Sequence, residues 1–178
     1  FTGVGDDTAV NALGGSVLSF TPTADGKGFV ITQELIDATA GTNLPLDMSS
    51  VTSEVLDVAT TGYAEFSFGM DDMGEDETFT LYGTAYNAVW VGANGTLAFG
   101  GTEAPGADAT HENTVGISAL RADIEGGEVS AAVTEGTFVV DWAGVATVVA
   151  DAGAKTGEAV NTSNVQVQGD LDSSTDSP

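Results

Sequence analysis

Short apolar runs with a two-residue period, separated by turns rich in Gly and Asn, limit this chain to a β-sheet fold. In residues 63–68 the apolar side chains share one face, because successive side chains of a strand point to opposite faces. Asn94-Gly95 is the strongest hairpin signal, and we expect a type I′ turn there. About eight to ten such strands, with turn signals roughly every 8–12 residues, predict an all-β fold. We expect a β-sandwich of mainly antiparallel sheets, with jelly-roll and Ig-like arrangements as alternatives.

The same pattern assigns the individual strands. A turn at residues 25–28 joins the first two strands into a hairpin. Residues 49–56 fit either a capped helical turn or a strand, whereas residues 100–114 and 151–164 are predicted to be loops. The predicted strands are 16–21, 29–32, 63–68, 78–82, 86–92, 96–99, 115–124, 129–133, 137–142 and 165–168.

The length and the apolar content predict one domain. We place a single β-sandwich domain over residues 1–169 of the 178-residue chain, with N-terminal strands added to its core. Residues 170–178 are acidic and rich in Ser and Thr, which is typical of a tail or linker. The 42% of hydrophobic residues argues against a wholly disordered acidic chain, because enough apolar surface is available to bury.

The charge of the chain excludes one large class of partners. Asp and Glu number 27 against 3 Lys and Arg, so the formal net charge is -24. Phosphates are bound by Lys and Arg, and only Lys27, Arg121 and Lys155 are present, so we expect no nucleic-acid binding. Anionic membrane surfaces are disfavoured for the same reason. We also expect no membrane insertion, because no apolar run reaches about 18 residues.

Few side chains suited to catalysis are present. The chain has no Cys, which removes thiol catalysis, disulfides and zinc–thiolate sites, and its one His, His111, lies in a polar stretch predicted to be a loop. Pairs of carboxylates act in glycosidases, but among 27 acids some pair lies at a suitable distance by chance. We therefore expect a protein that is not an enzyme.

An acidic loop at residues 71–77 is the candidate metal site. Ca²⁺ takes about 6–8 oxygen ligands, and clustered acids with a Gly at the sharp turn suit it. The spacing does not match an EF-hand, and the alternative is a solvated acidic loop. Asp6 and Asp7 form a weaker candidate pair. Calcium is the only cofactor that we consider, with candidate ligands Asp71, Asp72, Glu75, Asp76 and Glu77.

The aromatic residues have two possible roles. Trp90 and Trp142 lie in apolar strands, so we expect both in the core. Tyr63, Tyr82 and Tyr86 lie near strand ends and are the better candidates for exposure. A planar row of exposed aromatic rings would favour sugar binding.

Two glycosylation sequons occur. Asn94 begins the first, and the hairpin explains that residue more simply. Asn161 begins the second in a predicted loop, so it is the better acceptor if the source glycosylates its proteins.

The order of elements over residues 66–145 resembles the nidogen-like β-sandwich domains of matrix and bacterial surface proteins. The resemblance rests on residues 81–100, with an aromatic-Gly pair, an Asn-Gly hairpin and a Phe-Gly exit, and on residues 117–123 and 138–145. Residues 120–122 depart from the family, which usually has an aromatic pair there. The resemblance implies an extracellular or cell-surface location and a non-catalytic role in adhesion or assembly. It carries over no catalytic residue.

These observations predict an extracellular structural protein, a subunit or module of a self-assembling filament, matrix or surface layer. The expected partner is a second copy of the chain, bound by strand or edge contacts. The alternative is a monomeric carbohydrate- or calcium-binding adhesion module of a larger secreted protein, with surface glycans as partners. Like charges repel at low ionic strength, so we expect assembly and stability to rise with salt or divalent cations.

Overall fold

The computed structural model describes residues 16–23, 28–35, 46–58, 62–71, 73–100, 115–119, 124–125, 127–148 and 159–173, and over these the chain is almost entirely β. The predicted all-β sandwich of antiparallel sheets is confirmed. One short 3-10 helix covers Met48–Ser50. The strands are β1 Ser16–Pro22, β2 Phe29–Leu35, β3 Glu54–Val55, β4 Tyr63–Ser67, β5 Glu77–Leu81, β6 Thr84–Tyr86, β7 Ala88–Gly92, β8 Thr96–Phe99, β9 Val115–Ser118, β10 Ile124–Glu125, β11 Glu128–Thr134, β12 Thr137–Val148, β13 Ala159–Asp170 and β14 Asp172–Ser173.

The chain divides into two compact units, and the single domain that we predicted over residues 1–169 stays a prediction. The first unit is Phe1–Asp47 and the second is Met48–Pro178. In the described part of the first unit, β1 and β2 pair as an antiparallel hairpin, as predicted. The backbone N–H of Thr23 donates to the carbonyl oxygen of Gly28 at the turn. Residues 24–27, which hold most of the predicted turn, lie outside the described residues.

The first sheet of the second unit is built around β11 and β12. These strands form a hairpin, and β3 pairs on the far side of β11 while β13 pairs on the far side of β12. Glu135 and Gly136 both have positive φ in the two-residue turn between β11 and β12, and this geometry matches the right-handed twist of the strands. The short β10 pairs with the distal end of β12.

The second sheet has the order β4-β7-β8-β9 and is antiparallel throughout. The predicted Asn-Gly hairpin joins β7 to β8, but the type I′ turn is wrong: φ is positive at Gly95 and not at Asn94. The loop has three residues between the paired ends Gly92 and Thr96, which is the geometry of a type I turn followed by one left-handed residue.

A small third sheet joins β5, β6 and β14. The turn between β5 and β6 has positive φ at both Tyr82 and Gly83, so the two-residue turn with two left-handed residues occurs here. β14 contains Asp172, inside the segment that we predicted to be a tail from residue 170. The hydroxyl of Thr80 donates to the Asp172 carboxylate at 3.1 Å, which holds this segment against β5.

The core lies between the facing sides of the two larger sheets. Phe138 of β12 stacks on Phe68, which follows β4, with ring centroids 5.0 Å apart, and it meets the edge of Phe79 at 5.1 Å. Phe99 of β8 packs against Phe79 at 5.3 Å. The largest fully buried side chains are Trp142, Phe138, Leu97, Val89, Val91, Val139 and Val140.

Several strand bounds differ from the sequence-based prediction. Residues 86–92 do not form one strand, because the chain changes sheets at Asn87 between β6 and β7. Residues 115–124 are likewise divided between β9 and β10. The predicted loop 151–164 ends earlier than expected, since β13 begins at Ala159 and pairs with the far end of β12. Residues 49–56 contain both of the alternatives, a helical turn and a short strand.

Candidate functional site

The acidic loop that we predicted as a calcium site is a tight turn between β4 and β5. The carboxylate of Asp71 accepts hydrogen bonds from the backbone N–H groups of Met73 and Glu75, both at 2.9 Å. The N–H of Gly74 donates to the carbonyl oxygen of Asp71, with positive φ at this glycine. One carboxylate oxygen of the predicted set is therefore already engaged in holding the turn.

The structure does not bring the other predicted ligands together within the described residues. Glu75 and Asp76 are exposed on the loop, while Glu77 begins β5 opposite β14. No group of three or more acidic or His side chains suited to a metal occurs in the described part of the chain. Asp72, together with the weaker candidates Asp6 and Asp7, lies outside the described residues, so calcium binding stays a prediction.

The aromatic residues only partly follow the expectation. Trp142 is fully buried as predicted, but Trp90 is half-buried on the outer face of the second sheet, so its predicted core position is wrong. Val89 and Val91 take the inward positions of β7, and strand alternation therefore directs Trp90 outward. Tyr82 is exposed, whereas Tyr63 and Tyr86 are half-buried.

The half-buried aromatic rings do not form a flat sugar-stacking surface. Tyr63 meets Trp90 edge-on, with ring planes at 70° and centroids 5.4 Å apart. Tyr86 packs at 46° against the core residue Phe99. Among the described residues, therefore, no coplanar row of exposed aromatic rings is found, and that geometry disfavours carbohydrate stacking.

A buried carboxylate lies in the middle of the first sheet. Asp141 of β12 is 9% exposed and lies directly between Ser130 of β11 and Gln166 of β13. Burial raises the pKa of Asp141 above its ordinary value of 3.8, and the hydrogen bond from the Gln166 amide, at 3.3 Å, lowers it in part. Gln168 donates in turn to Gln166 at 2.7 Å.

An open groove lies where the edges of the two sandwich sheets approach each other. Residues 52–54, 66–68 and 131–133 line a cavity of about 250 Å³ there. Phe66 and Phe68 are nearly fully buried behind the groove, and Glu54 is a charged residue of the lining. Sequence reasoning missed this groove, because nothing in the alternation of β11 shows how far its neighbour β3 extends.

Two strand edges border this groove without a neighbouring strand in the described part of the chain. β3 pairs with β11 only at Ser130 and Ala131, and the N–H of Leu56 adds one bond to Val129. The edge of β11 is thus open beyond Ala131. β4 ends the second sheet, and because the N–H of Phe68 points to β7, the N–H of its neighbour Ser67 points to the open side.

The remaining sequence-based candidates are His111 and the two glycosylation sequons. His111 lies outside the described residues, so its predicted lack of a catalytic role stays a prediction. The backbone of Asn161 is part of β13 rather than of the predicted loop, and its glycosylation stays a prediction. Asn94 lies in the hairpin turn, and its side-chain oxygen accepts from the Thr96 hydroxyl at 2.6 Å.

Comparison with known proteins assigns no family. No helix among the described residues has the length and apolar character needed to cross a membrane. No family model matches the chain, and neither a curated protein nor a solved structure matches it significantly. The nidogen-like resemblance of residues 66–145 therefore stays a prediction, and functional inference rests on the geometry above.

Proposed function

We propose that this chain is a non-catalytic structural protein of the cell exterior, a self-assembling subunit or module of a filament, matrix or surface layer. The observation that carries the proposal is the groove lined by residues 52–54, 66–68 and 131–133. Two open strand edges border it, and unpaired N–H and C=O groups of such edges are templates for a strand from another chain.

The chemistry of the groove favours a second copy over a charged ligand. Hydrogen bonds to the backbone of β4 or β11 would supply the affinity for an added strand. Glu54 is the one charged residue among the described residues of the lining, although the whole chain has a net charge of -24. Two copies can therefore meet at this groove with less repulsion than at an average surface.

The test removes a single edge hydrogen-bond donor. Ser67→Pro removes the N–H that points away from β7, and proline is tolerated at such positions of edge strands. Ser67→Ala is the matched control, since it keeps the N–H at the same site. We expect wild-type protein and Ser67→Ala to form polymers in negative-stain images, and Ser67→Pro to form fewer and shorter ones. Equal polymer formation by the two variants would contradict pairing at β4.

The alternative function is a monomeric carbohydrate- or calcium-binding adhesion module. Its calcium arm has a direct test: calorimetric titration at millimolar Ca²⁺ should give heat in the wild type, and the heat should be lost in a variant combining Glu75→Gln and Asp76→Asn. Absence of heat in the wild type would contradict calcium binding. A protein that stays monomeric and releases heat would favour the module over the assembling subunit.

A further inference from the structure

The β1–β2 hairpin has one face on which six of the eight side chains are apolar. The register pairs Phe20 with Ile31 and Leu18 with Gln33, and directly paired residues share a face. The first face, here called the apolar face, consists of Ser16, Leu18, Phe20, Pro22, Phe29, Ile31, Gln33 and Leu35. The reverse face consists of Val17, Ser19, Thr21, Val30, Thr32 and Glu34.

The apolar face is exposed where a sheet ordinarily buries its apolar side. Phe20 is 56% exposed, Ile31 59% and Leu35 78%, and Leu18 is exposed as well. Each Å² of apolar surface left in water costs about 25 cal/mol. A two-stranded hairpin is at best marginally stable unless further strands or a packed face support it. The face is thus suited to being covered by a partner.

We propose that the apolar face is a self-association site, at which it packs against the same face of a second copy. This inference rests on the proposed function, because it supplies a further contact for the assembling subunit. The charge distribution favours this partner: no side chain of the apolar face is charged, and Glu34 lies on the reverse face. Two chains of net charge -24 can meet here without facing carboxylates, whereas a basic partner would find no acid to bind.

The size of the face determines how strong this contact is. A strand of seven residues is about 23 Å long and two strands are about 10 Å wide, so the contact lies well below the roughly 800 Å² per partner of a stable interface. The contact is therefore weak by itself. Because the same face is used by both copies, it joins them into a symmetric dimer. Combined with strand addition at the groove, it extends a pair into a chain of copies.

Two neighbouring residues with similar exposure on opposite faces provide a matched test. Ile31 is 59% exposed on the apolar face, and Val30 is 55% exposed on the reverse face. Full-length Ile31→Asp and Val30→Asp carry the same added charge, so general repulsion is equal in both. In sedimentation velocity at high salt we expect Ile31→Asp to weaken self-association at least about tenfold relative to Val30→Asp, and circular dichroism to show both folded.

The outcomes separate this inference from the proposed function. A wild-type chain that stays monomeric overturns both, whereas association that Ile31→Asp and Val30→Asp retain equally overturns the apolar-face contact alone. Pelleting of the wild type, but not of Ile31→Asp, with vesicles of neutral lipid, without self-association, would identify a lipid surface instead and would also overturn it.

A second pair of variants keeps the test valid if the Asp variants unfold. The chain has no Cys, so a single introduced thiol reports on one position. Oxidation should cross-link Ile31→Cys into dimers at least about tenfold faster than Val30→Cys. Equal rates for the two variants would contradict a face-to-face contact.

Discussion

The indole Nε1 of Trp142 donates a hydrogen bond to the backbone carbonyl oxygen of Gly92 at 3.0 Å, which ties the two sheets of the sandwich together. Trp142 lies on β12 of the first sheet and is fully buried, while Gly92 ends β7 of the second. A buried polar group needs a partner, so this bond satisfies the indole and also fixes how β7 lies against β12.

Replacing Trp142 should be strongly destabilising. Trp142→Phe leaves a cavity and removes the bond from the indole, so that the Gly92 carbonyl oxygen keeps only the 3.3 Å bond from the Gly95 N–H. We expect a loss of about 2–4 kcal/mol in the free energy of unfolding. Trp90→Phe is the control, because Trp90 is half-buried and no described contact ties it across the sandwich; its loss should stay below about 1.5 kcal/mol. Chemical denaturation measures both, and equal losses would contradict the assigned core.

Gly169 should not tolerate even a methyl group. Its Cα lies beneath the rings of Phe138 and Phe79, and an added Cβ would clash with both. Gly169→Ala must displace two core rings, so we expect a loss of about 1–3 kcal/mol in the free energy of unfolding. Gly28→Ala is the control, since a Cβ there meets only the Thr23 hydroxyl at 3.9 Å. A thermal melt of Gly169→Ala equal to the wild type would contradict this packing.

Asp141 should make stability depend on pH. Its pKa is raised in the folded state by burial, so the folded chain holds this proton more tightly than the unfolded chain does. The stabilisation is fully present below the ordinary value of 3.8 and is lost as pH rises through the folded pKa. Asp141→Asn keeps an oxygen that accepts from Gln166 and removes the buried charge.

We therefore expect Asp141→Asn to be more stable than the wild type at neutral pH, with the difference shrinking as pH falls towards 3.8. Urea denaturation across this pH range measures it. Glu128→Gln is the charge-matched control, because Glu128 is exposed at the start of the neighbouring strand β11. If both variants gain equally, net charge rather than burial explains the effect.

The acidic loop should depend on Asp71 rather than on its other acids. Asp71→Ala removes the acceptor of the Met73 and Glu75 N–H groups, at a cost of about 1 kcal/mol to the turn. We expect both amides to exchange hydrogen faster, with or without Ca²⁺. Asp76→Ala should leave their exchange unchanged, since no described bond joins Asp76 to them; acceleration in both variants would contradict this role.

Local patterns were sufficient for the fold class. Alternation over residues 63–68 located β4, and the predicted strands 129–133 and 137–142 correspond to the hairpin of β11 and β12. Trp142 was expected in the core and is there. These features depend on neighbours in sequence, which alternation and turn chemistry report directly.

Features that depend on pairing between strands far apart in the chain could not be predicted from the sequence. The length of β13 depends on its long partner β12, and the open edge of β11 depends on where β3 ends. Trp90 was predicted to be buried because β7 is apolar on both faces, so alternation did not show which face points to the core. In the structure Val89 and Val91 point inward, and Trp90 therefore points outward. The left-handed Tyr82 was missed because a bulky residue rarely adopts positive φ.

Self-association across a salt series tests the proposed function most directly. Sedimentation velocity and negative-stain microscopy of the wild type should show larger assemblies as NaCl rises from about 10 mM to about 1 M, because the Debye length falls from about 30 Å to about 3 Å and the repulsion between chains of charge -24 is screened. A monomer at every protein concentration and every salt concentration, with and without Ca²⁺, would contradict the assembling subunit.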